Sequence, residues 1–433
     1  MIEAALQPKL RHAVSTYTGI VRTLDECLAS SAEPRLYRMT CDVRGGDALL
    51  GSPLGHCAGV GGAGTTRAEA AAAAVGEALE RYSASYVPRE RLAVTSAREL
   101  GDAAVAPERF ALFSDAQYAA PGFPFRRFTD ETEVAWVEGR ALPSGEPAWL
   151  PAELVYLGDT ALPDGPIGYA TSSGAACADT TEAAIDRGLC ELLERDAFMI
   201  VWAGRLSLPL LDWSAELPLV ELDRRFFMRT GLRYAAVDLS VFHDVPSVLG
   251  VVRAPPGLPG ALGVGAGTAA TVERAWLKAL SEAFAARSAG AKLELLEPGA
   301  YGPTGEGVTT FEGHIRYYAD ERRARPAAFL DASADRTTAR RVRPLGDDPI
   351  PSLCARVAAA GSSAYAVDVT SPDVAELGLT VVKVLAPELC ALDVAHGARY
   401  LGGRRLYEAA AGVGLRTGPL AASEVNPYPH PFP

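Results

Sequence analysis

The sequence predicts an α+β fold, on three observations. Runs of aliphatic and aromatic residues bounded by turn signals read as strands, and long stretches after glycine-rich loops read as helices. Strands and helices are mixed without the strict alternation that a doubly wound parallel sheet requires. No low-complexity linker divides the 433 residues, so one domain is expected. It would comprise an N-terminal strand and helix segment over 1–50, a core over 51–420 and a proline-rich tail over 421–433.

A short segment at 17–22 leads to a helix expected around 23–30, and Leu36–Val43 reads as a strand. Gly55 to Gly64 reads as a loop. A helix follows from near Thr65 past Tyr82, containing the unbroken alanine block 70–74. Strands are expected at 132–142 and 147–157. A second Gly/Ser loop, Thr171–Ala175, leads into a helix from Thr181 to Gly204. Strands near 232–239, 246–253 and 261–266 precede a third helix at 271–290. The Pro- and Arg-rich stretch 298–345 reads as loop around a short helix at His314–Arg323. Strands near 363–370 and 379–385 and a helix at 395–411 follow.

The chain ends Asn426-Pro427-Tyr428-Pro429-His430-Pro431-Phe432-Pro433, with proline at every second position. Proline lacks an N–H and fixes φ, so this tail is neither a helix nor a central strand. It should be an extended rod that loses little entropy when it docks. A rod with a carboxylate at its tip and a histidine three residues back suggests a placed end.

The formal net charge of −12 argues against nucleic-acid binding and against docking on anionic membranes. No run of about 18 apolar residues occurs, and Met1-Ile2-Glu3-Ala4 lacks a secretory layout, so a cytoplasmic location is expected. Seven scattered cysteines without a CxxC pair fit reduced thiols, not a disulfide framework or a zinc cage.

The chemistry lies in a repeated pattern. Gly76-Glu77-Ala78-Leu79-Glu80-Arg81 recurs as Cys190-Glu191-Leu192-Leu193-Glu194-Arg195, each copy on an expected helix behind a glycine-rich loop. Residues three apart share a helix face, so each copy sets two carboxylates side by side. Like charges pack poorly unless a cation sits between them, and magnesium favours oxygen ligands alongside substrate phosphates. Arg81 and Arg195 are available to pair with phosphate or with protein. One such pattern alone would read as a solvated helix face. In the second copy the same face continues to Phe198 and Trp202, large apolar residues that need cover. GxxxxGK, GxSxG and HExxH signatures are absent, so a bound nucleotide would be held mainly through carboxylates and magnesium.

Together these motifs resemble the YcaO superfamily. The glycine-rich loop, the alanine block and Glu77-xx-Glu80-Arg81-Tyr82-Ser83 resemble its first ATP motif. Ser172-Ser173-Gly174-Ala175-Ala176 through Glu191-xx-Glu194-Arg195-Asp196 resembles the second, and Arg274-Ala275 to Glu282-Ala283 and Arg287 the third. Tyr17 to Arg22 and Asp368-Val369-Thr370-Ser371-Pro372-Asp373 also match, and Pro-His-Pro-Phe-Pro resembles the terminus of the azoline-forming branch.

The resemblance implies a YcaO-type fold with mixed sheets and long helices lining an ATP cleft. It implies an ATP-dependent cyclodehydratase that converts Cys, Ser or Thr of a ribosomally made precursor peptide to thiazoline or (methyl)oxazoline. It further implies that Glu77, Glu80, Glu191 and Glu194 hold Mg2+ and the triphosphate, with Arg81, Asp179, Arg195, Glu282 and Arg287 also binding ATP. His430 and the Pro433 carboxylate would serve catalysis near the peptide. The partners implied are the precursor peptide and a leader-binding protein resembling ubiquitin-activating enzymes, with a flavin dehydrogenase as a further candidate and a homodimer as the assembly.

The chain departs from the family pattern at Ala73 and Ser173, where serine and asparagine are usual. It departs again at Asp179 for asparagine, Ala183 for glutamate and Ala285 for glutamine. Each lost hydrogen bond would weaken nucleotide binding by about 0.5–1.5 kcal/mol. Thioamide or macroamidine formation, or a scaffold role with a degenerate ATP site, are the alternatives.

Overall fold

A computed structural model describes residues 6–31, 33–43, 60–296 and 298–433. Its contacts divide the chain into two compact units. One comprises residues 1–29, 36–192 and 353–388, the other 30–35, 193–352 and 389–433. The fold is α+β, as the sequence predicts.

In the first unit, Val21–Glu26, Tyr37–Val43 and Gly61–Gly64 form an antiparallel three-stranded sheet. Helix α1, Arg67–Ser85, packs on it. Thr66 caps α1 by accepting from the Glu69 N–H, while Glu69 accepts from the N–H and hydroxyl of Thr65. Two expectations are corrected here. The segment expected to be helical at 23–30 is a strand over Val21–Glu26, because pairing with Tyr37–Val43 and burial of Val21 and Leu24 outweigh local propensity. Gly61–Gly64, expected as loop, is an edge strand whose glycines admit the α1 backbone. A Cβ on Gly62 would lie 2.3 Å from the Ala74 nitrogen, and one on Gly64 2.6 Å from that of Ala70. Residues 55–59 of that expected loop, with His56 and Cys57, lie outside the described residues.

A second sheet in this unit orders Leu92–Thr95, Val134–Leu142, Ala364–Asp368, Thr380–Leu385 and Ala175–Ala178, with Pro147–Pro151 paired to Val134–Leu142. The strand expected over 147–157 stops at Pro151 and turns through a 3-10 segment, Ala152–Leu154. Glu153 in that turn is buried, and its Oε2 accepts from the Ile167 N–H at 2.7 Å. It thereby anchors the segment leading to the Thr171–Gly174 turn.

Burial raises the Glu153 carboxyl to about 7, the nearby Arg126 guanidinium only partly opposing it. A carboxyl whose folded pKa exceeds its unfolded value contributes stability below about pH 4.5 that is lost as pH rises through about 7. Ionising Glu153 therefore costs at most about 3 kcal/mol above neutrality. Glu153→Gln should unfold at higher urea than the parent at about pH 8.5 and should narrow or lose that advantage near pH 5.5. An equal difference at both pH values would dissociate Glu153 from the pH dependence.

In the second unit, the five-stranded sheet orders Leu262–Thr268, Ser247–Arg253, Arg233–Asp238, Leu210–Asp212 and Arg336–Thr338. Helix α2, Thr181–Gly204, matches the expected span, and the division between units falls within it, after Leu192. Its Ala197–Ala203 stretch is buried in the core of the second unit. Helix α3, Val272–Leu296, packs on the Leu262–Thr268 strand. Two late helices are shorter than expected. Phe311–Tyr317 (α4) and Glu321–Ala324 replace one helix over 314–323, because Asp320 caps a new start by accepting from the Arg322 and Arg323 N–H groups. Arg404–Gly412 (α5) replaces 395–411, Gly402-Gly403 preceding its first turn.

Six cysteines among the described residues are free thiols. Among the same residues, no helix is long and apolar enough to cross a membrane.

Candidate functional site

The first unit gathers carboxylates from two helices. Ala78 and Leu79 of α1 are buried, which leaves Glu77, Glu80 and Arg81 half-buried on the other side of the helix. Arg81 Nη2 donates to Glu77 Oε1 at 2.7 Å. Glu191 of α2 belongs to the same neighbourhood. Burial first, then the charges of Glu191 and Glu77, push the Glu80 carboxyl well above its usual range, with Arg81 and Lys383 opposing.

Glu191 Oε2 accepts from the Gly174 N–H at 3.3 Å. Gly174 has φ +81°, and a Cβ there would fall 2.3 Å from the Val384 carbonyl oxygen, so no other residue makes this turn without displacement. Lys383, which sequence reasoning missed, is 4% exposed and donates to the Thr171 and Ser173 carbonyls at 2.5 and 2.6 Å. Burial lowers its pKa to about 8, against the raising effect of Glu191 and Glu80. A lysine inside the apolar run Val381-Val382-Lys383-Val384-Leu385 was the available signal. The Ser371 and Asp373 motif residues meet the end of α1, where the Tyr82 hydroxyl donates to Asp373 at 2.7 Å and the Ser83 and Ser371 hydroxyls lie 3.1 Å apart.

In the second unit Glu194 is fully buried and already partnered. It accepts from the Thr268 N–H at 2.7 Å, from Lys278 Nζ at 3.0 Å and from Arg195 at 2.9 Å. Lys278 also stands 3.8 Å from Glu282. Asp196, equally buried, accepts from His243 Nε2, from the Arg405 guanidinium and from the Cys390 N–H. Burial opposes its charge, but His243 and Arg405 hold the carboxyl below the usual range.

The tail is docked in this unit. Five successive carbonyls, from residue 426 to residue 430, each accept from a side chain. The donors are Arg399, His396, Trp202, Tyr318 and His314, at 2.7, 3.0, 3.1, 2.5 and 2.8 Å. The prolines remove N–H groups that this setting would leave buried, while each of these five carbonyls finds a partner. Phe432, 1% exposed, packs 4.9 Å from Phe198 and beneath the Arg195 guanidinium at 4.1 Å, so the apolar face of α2 receives the cover it needs.

His430 stacks on His314 with centroids 3.9 Å apart. Its Nδ1 accepts from the Phe432 N–H, so Nε2 carries the proton and donates to the Asp393 carbonyl at 2.7 Å. Burial, and then His314, drive its pKa well below the ordinary value, leaving a neutral ring with both nitrogens engaged. His430, expected to position the peptide or move protons, thus has both ring nitrogens bonded within the second unit. Pro433 is exposed.

The structure brings Glu77, Glu80, Arg81 and Glu191 together in the first unit. It places Glu194, Arg195 and Glu282 around Lys278 and the tail in the second. Asp179 instead accepts from Lys9 at 3.3 Å on the surface. Arg287, expected to reach phosphate, spends its guanidinium on the Gly260 and Pro259 carbonyls at 3.1 and 2.9 Å. Ser173, where the family pattern has asparagine, is buried and offers its carbonyl to Lys383.

Among the described residues no group of three or more His, Cys, Asp or Glu side chains forms a ready metal cage. Magnesium keeps waters and phosphate oxygens in its shell alongside protein carboxylates. The oxygen-only donors of Glu77, Glu80 and Glu191, with the Glu80 carboxyl pushed up by burial and then by the charges of its two neighbours, fit such an ion, which would supply charge neutralisation.

The fold and these carboxylate helices define an α+β protein with clustered oxygen donors of the kind magnesium favours. Residues 61–390 match the family described as YcaO cyclodehydratase, ATP- and Mg2+-binding, and the chain belongs to that family. A heterocyclase solved in complex with substrate and cofactor superposes with TM-score 0.80 at 26% identity, covering 100% of this chain and 57% of that one. The heterocyclase TruD gives 0.67 at 27% identity, over 83% and 50% of the respective chains. An uncharacterised protein of Methanothermobacter thermautotrophicus is 29% identical over 235 residues, 52% of this chain and 56% of its own length. The chain therefore spans little more than half the length of these relatives. YcaO from Methanopyrus kandleri, solved with AMPPCP and Mg2+, shares the fold at 22% identity and TM-score 0.56, over 85% of this chain and 86% of that one.

Proposed function

We propose that this protein is an ATP-dependent cyclodehydratase acting on Cys, Ser or Thr of a ribosomally made peptide. The observation that carries the reading is the Glu77–Glu80–Glu191 cluster, three interacting carboxylates with Arg81 and Lys383 around them, in a chain of the YcaO family. The docked proline tail favours azoline formation over thioamide or amidine formation.

An amide oxygen is a poor leaving group. The Cys, Ser or Thr side chain adds to the preceding carbonyl and gives up its proton. The former amide oxygen takes the γ-phosphoryl group of ATP, releasing ADP. Phosphate then departs with that oxygen as the nitrogen loses its proton, leaving the C=N bond of the azoline. Glu77, Glu80 and Glu191 would hold the magnesium that accompanies the triphosphate, with Arg81 for phosphate charge. Glu194, Arg195, Glu282, Arg287 and Asp179 enter the proposal only through the family resemblance, and the Pro433 carboxylate as a group for the peptide.

A heterocyclase related to this chain binds substrate and cofactor, and the McbBCD microcin synthetase, with the same fold, is solved as a complex with pro-MccB17. These support a precursor peptide and partner proteins, while a leader-binding protein, a homodimer and a flavin dehydrogenase enter the proposal only through the family resemblance. Purified protein with peptide, candidate partner and Mg-ATP should release phosphate, with one water mass lost from the peptide per event. A sulfur-for-oxygen exchange would indicate thioamidation, and no peptide-dependent phosphate with any partner would leave a scaffold.

A further inference from the structure

Lys383 lies outside every motif that led to the site, yet two short hydrogen bonds tie it to the turn whose Gly174 N–H faces Glu191. It sits on the Thr380–Leu385 strand, between the Ala364–Asp368 and Ala175–Ala178 strands, where Val381, Val382, Val384 and Leu385 are buried. A lysine in that setting costs free energy unless its charge and its donors are all used. Its bonds to the carbonyls of Thr171 and Ser173 bracket Ser172. The Val384 N–H donates to the next carbonyl, that of Gly174, at 2.8 Å. Three donations from two adjacent strand residues therefore fix one four-residue turn. That turn's last N–H is the one pointing at Glu191 Oε2. The ammonium is also the buried positive charge acting on Glu80 and Glu191.

We propose that Lys383 is a positioning residue for the nucleotide-metal site: it sets the Thr171–Gly174 turn that orients Glu191 and supplies the fixed charge beside Glu80 and Glu191. The proposal rests on the assignment of these glutamates to Mg-ATP. A methylene stem alone would fill the space, so a structural role needs only bulk. A positioning role needs the ammonium's donors, because the carbonyls of Thr171 and Ser173 otherwise lose their partner and the turn is free to rotate Glu191 away. Partners that orient metal ligands typically matter by about 10–100-fold in metal affinity.

The test compares Lys383→Met, which keeps the stem, with Lys383→Arg, which keeps charge and donors, in the full chain. Mg-ATP binding is followed by calorimetry, the KM for ATP and kcat by peptide-dependent phosphate release, and folding by thermal melting. Lys383→Met is expected to weaken Mg-ATP binding and raise KM by at least about tenfold, with a smaller change in kcat. Lys383→Arg is expected to recover most of that loss. Parental binding by Lys383→Met overturns the proposal. So does equal impairment of both variants in step with lost melting temperature, or failure of both to fold, since each marks a purely structural lysine. If Lys383→Met alone fails to fold, near-parental Mg-ATP affinity in Lys383→Arg supports the proposal, and affinity about tenfold lower overturns it. Parent protein that binds no Mg-ATP would instead bring down the assignment of the glutamates, a result distinct from any behaviour of the variants.

Discussion

Glu191→Gln should lower peptide-dependent phosphate release by at least about a thousandfold while leaving the melting temperature close to that of the parent. The substitution keeps shape and the hydrogen bond from the Gly174 N–H, because a glutamine oxygen accepts as a carboxylate oxygen does. What it removes is one negative charge from a cluster in which Glu80 already sits among Glu77 and Glu191. With Glu191 neutral, the Glu80 carboxyl should return toward its ordinary range, and the variant should be no less stable than the parent. Loss of turnover with retained stability marks a group whose charge is needed for magnesium and phosphate. Glu182→Gln, at the exposed start of the same helix, should change turnover by no more than about twofold. Full activity in Glu191→Gln would remove the carboxylate cluster from the chemistry.

Removing Pro431–Pro433 should cost about 3–5 kcal/mol of stability in the second unit and abolish measurable turnover. Phe432 is buried between Phe198 and the Arg195 guanidinium, so its loss opens a cavity and uncovers the apolar face of α2. Stability loss alone would not separate a brace from a chemical group. Removal of Pro433 alone should do so, because it is exposed and its loss leaves Phe432 in place. That shorter deletion should alter stability by less than about 0.5 kcal/mol. A turnover drop of about a hundredfold would then mark Pro433 as serving the peptide. Unchanged turnover would make the tail a structural strap built around His430 and Phe432.

Local pattern carried a good deal of this. The Thr181–Gly204 helix was legible to the residue, and the paired glutamates stood out because a three-residue repeat on a helix places side chains on one face. Phe198 and Trp202 announced that their face needed cover, and the tail supplies it. What stayed hidden depends on contacts remote in sequence. Lys383 acts on a turn that lies about 210 residues earlier, and no spacing rule links the two. The receptors of the tail come from α2, from α4 and its C-cap Tyr318, and from the 396–399 segment, so nothing in the sequence joined His314 to the tail. Gly61–Gly64 looked like a flexible loop because glycine signals loops and close backbone packing alike. Segment 23–30 failed for the opposite reason, since its strand is decided by a partner chain segment and not by its own preference.

Phosphorylation of the peptide's amide oxygen is most directly tested with a precursor peptide whose reacting carbonyl carries the heavy oxygen isotope. Incubated with this protein, its partner and Mg-ATP, the peptide should lose labelled water mass, and the label should appear in one released phosphate for each azoline formed. Azoline formation with unlabelled phosphate would contradict it, because ATP would then be cleaved by water and not by the amide oxygen.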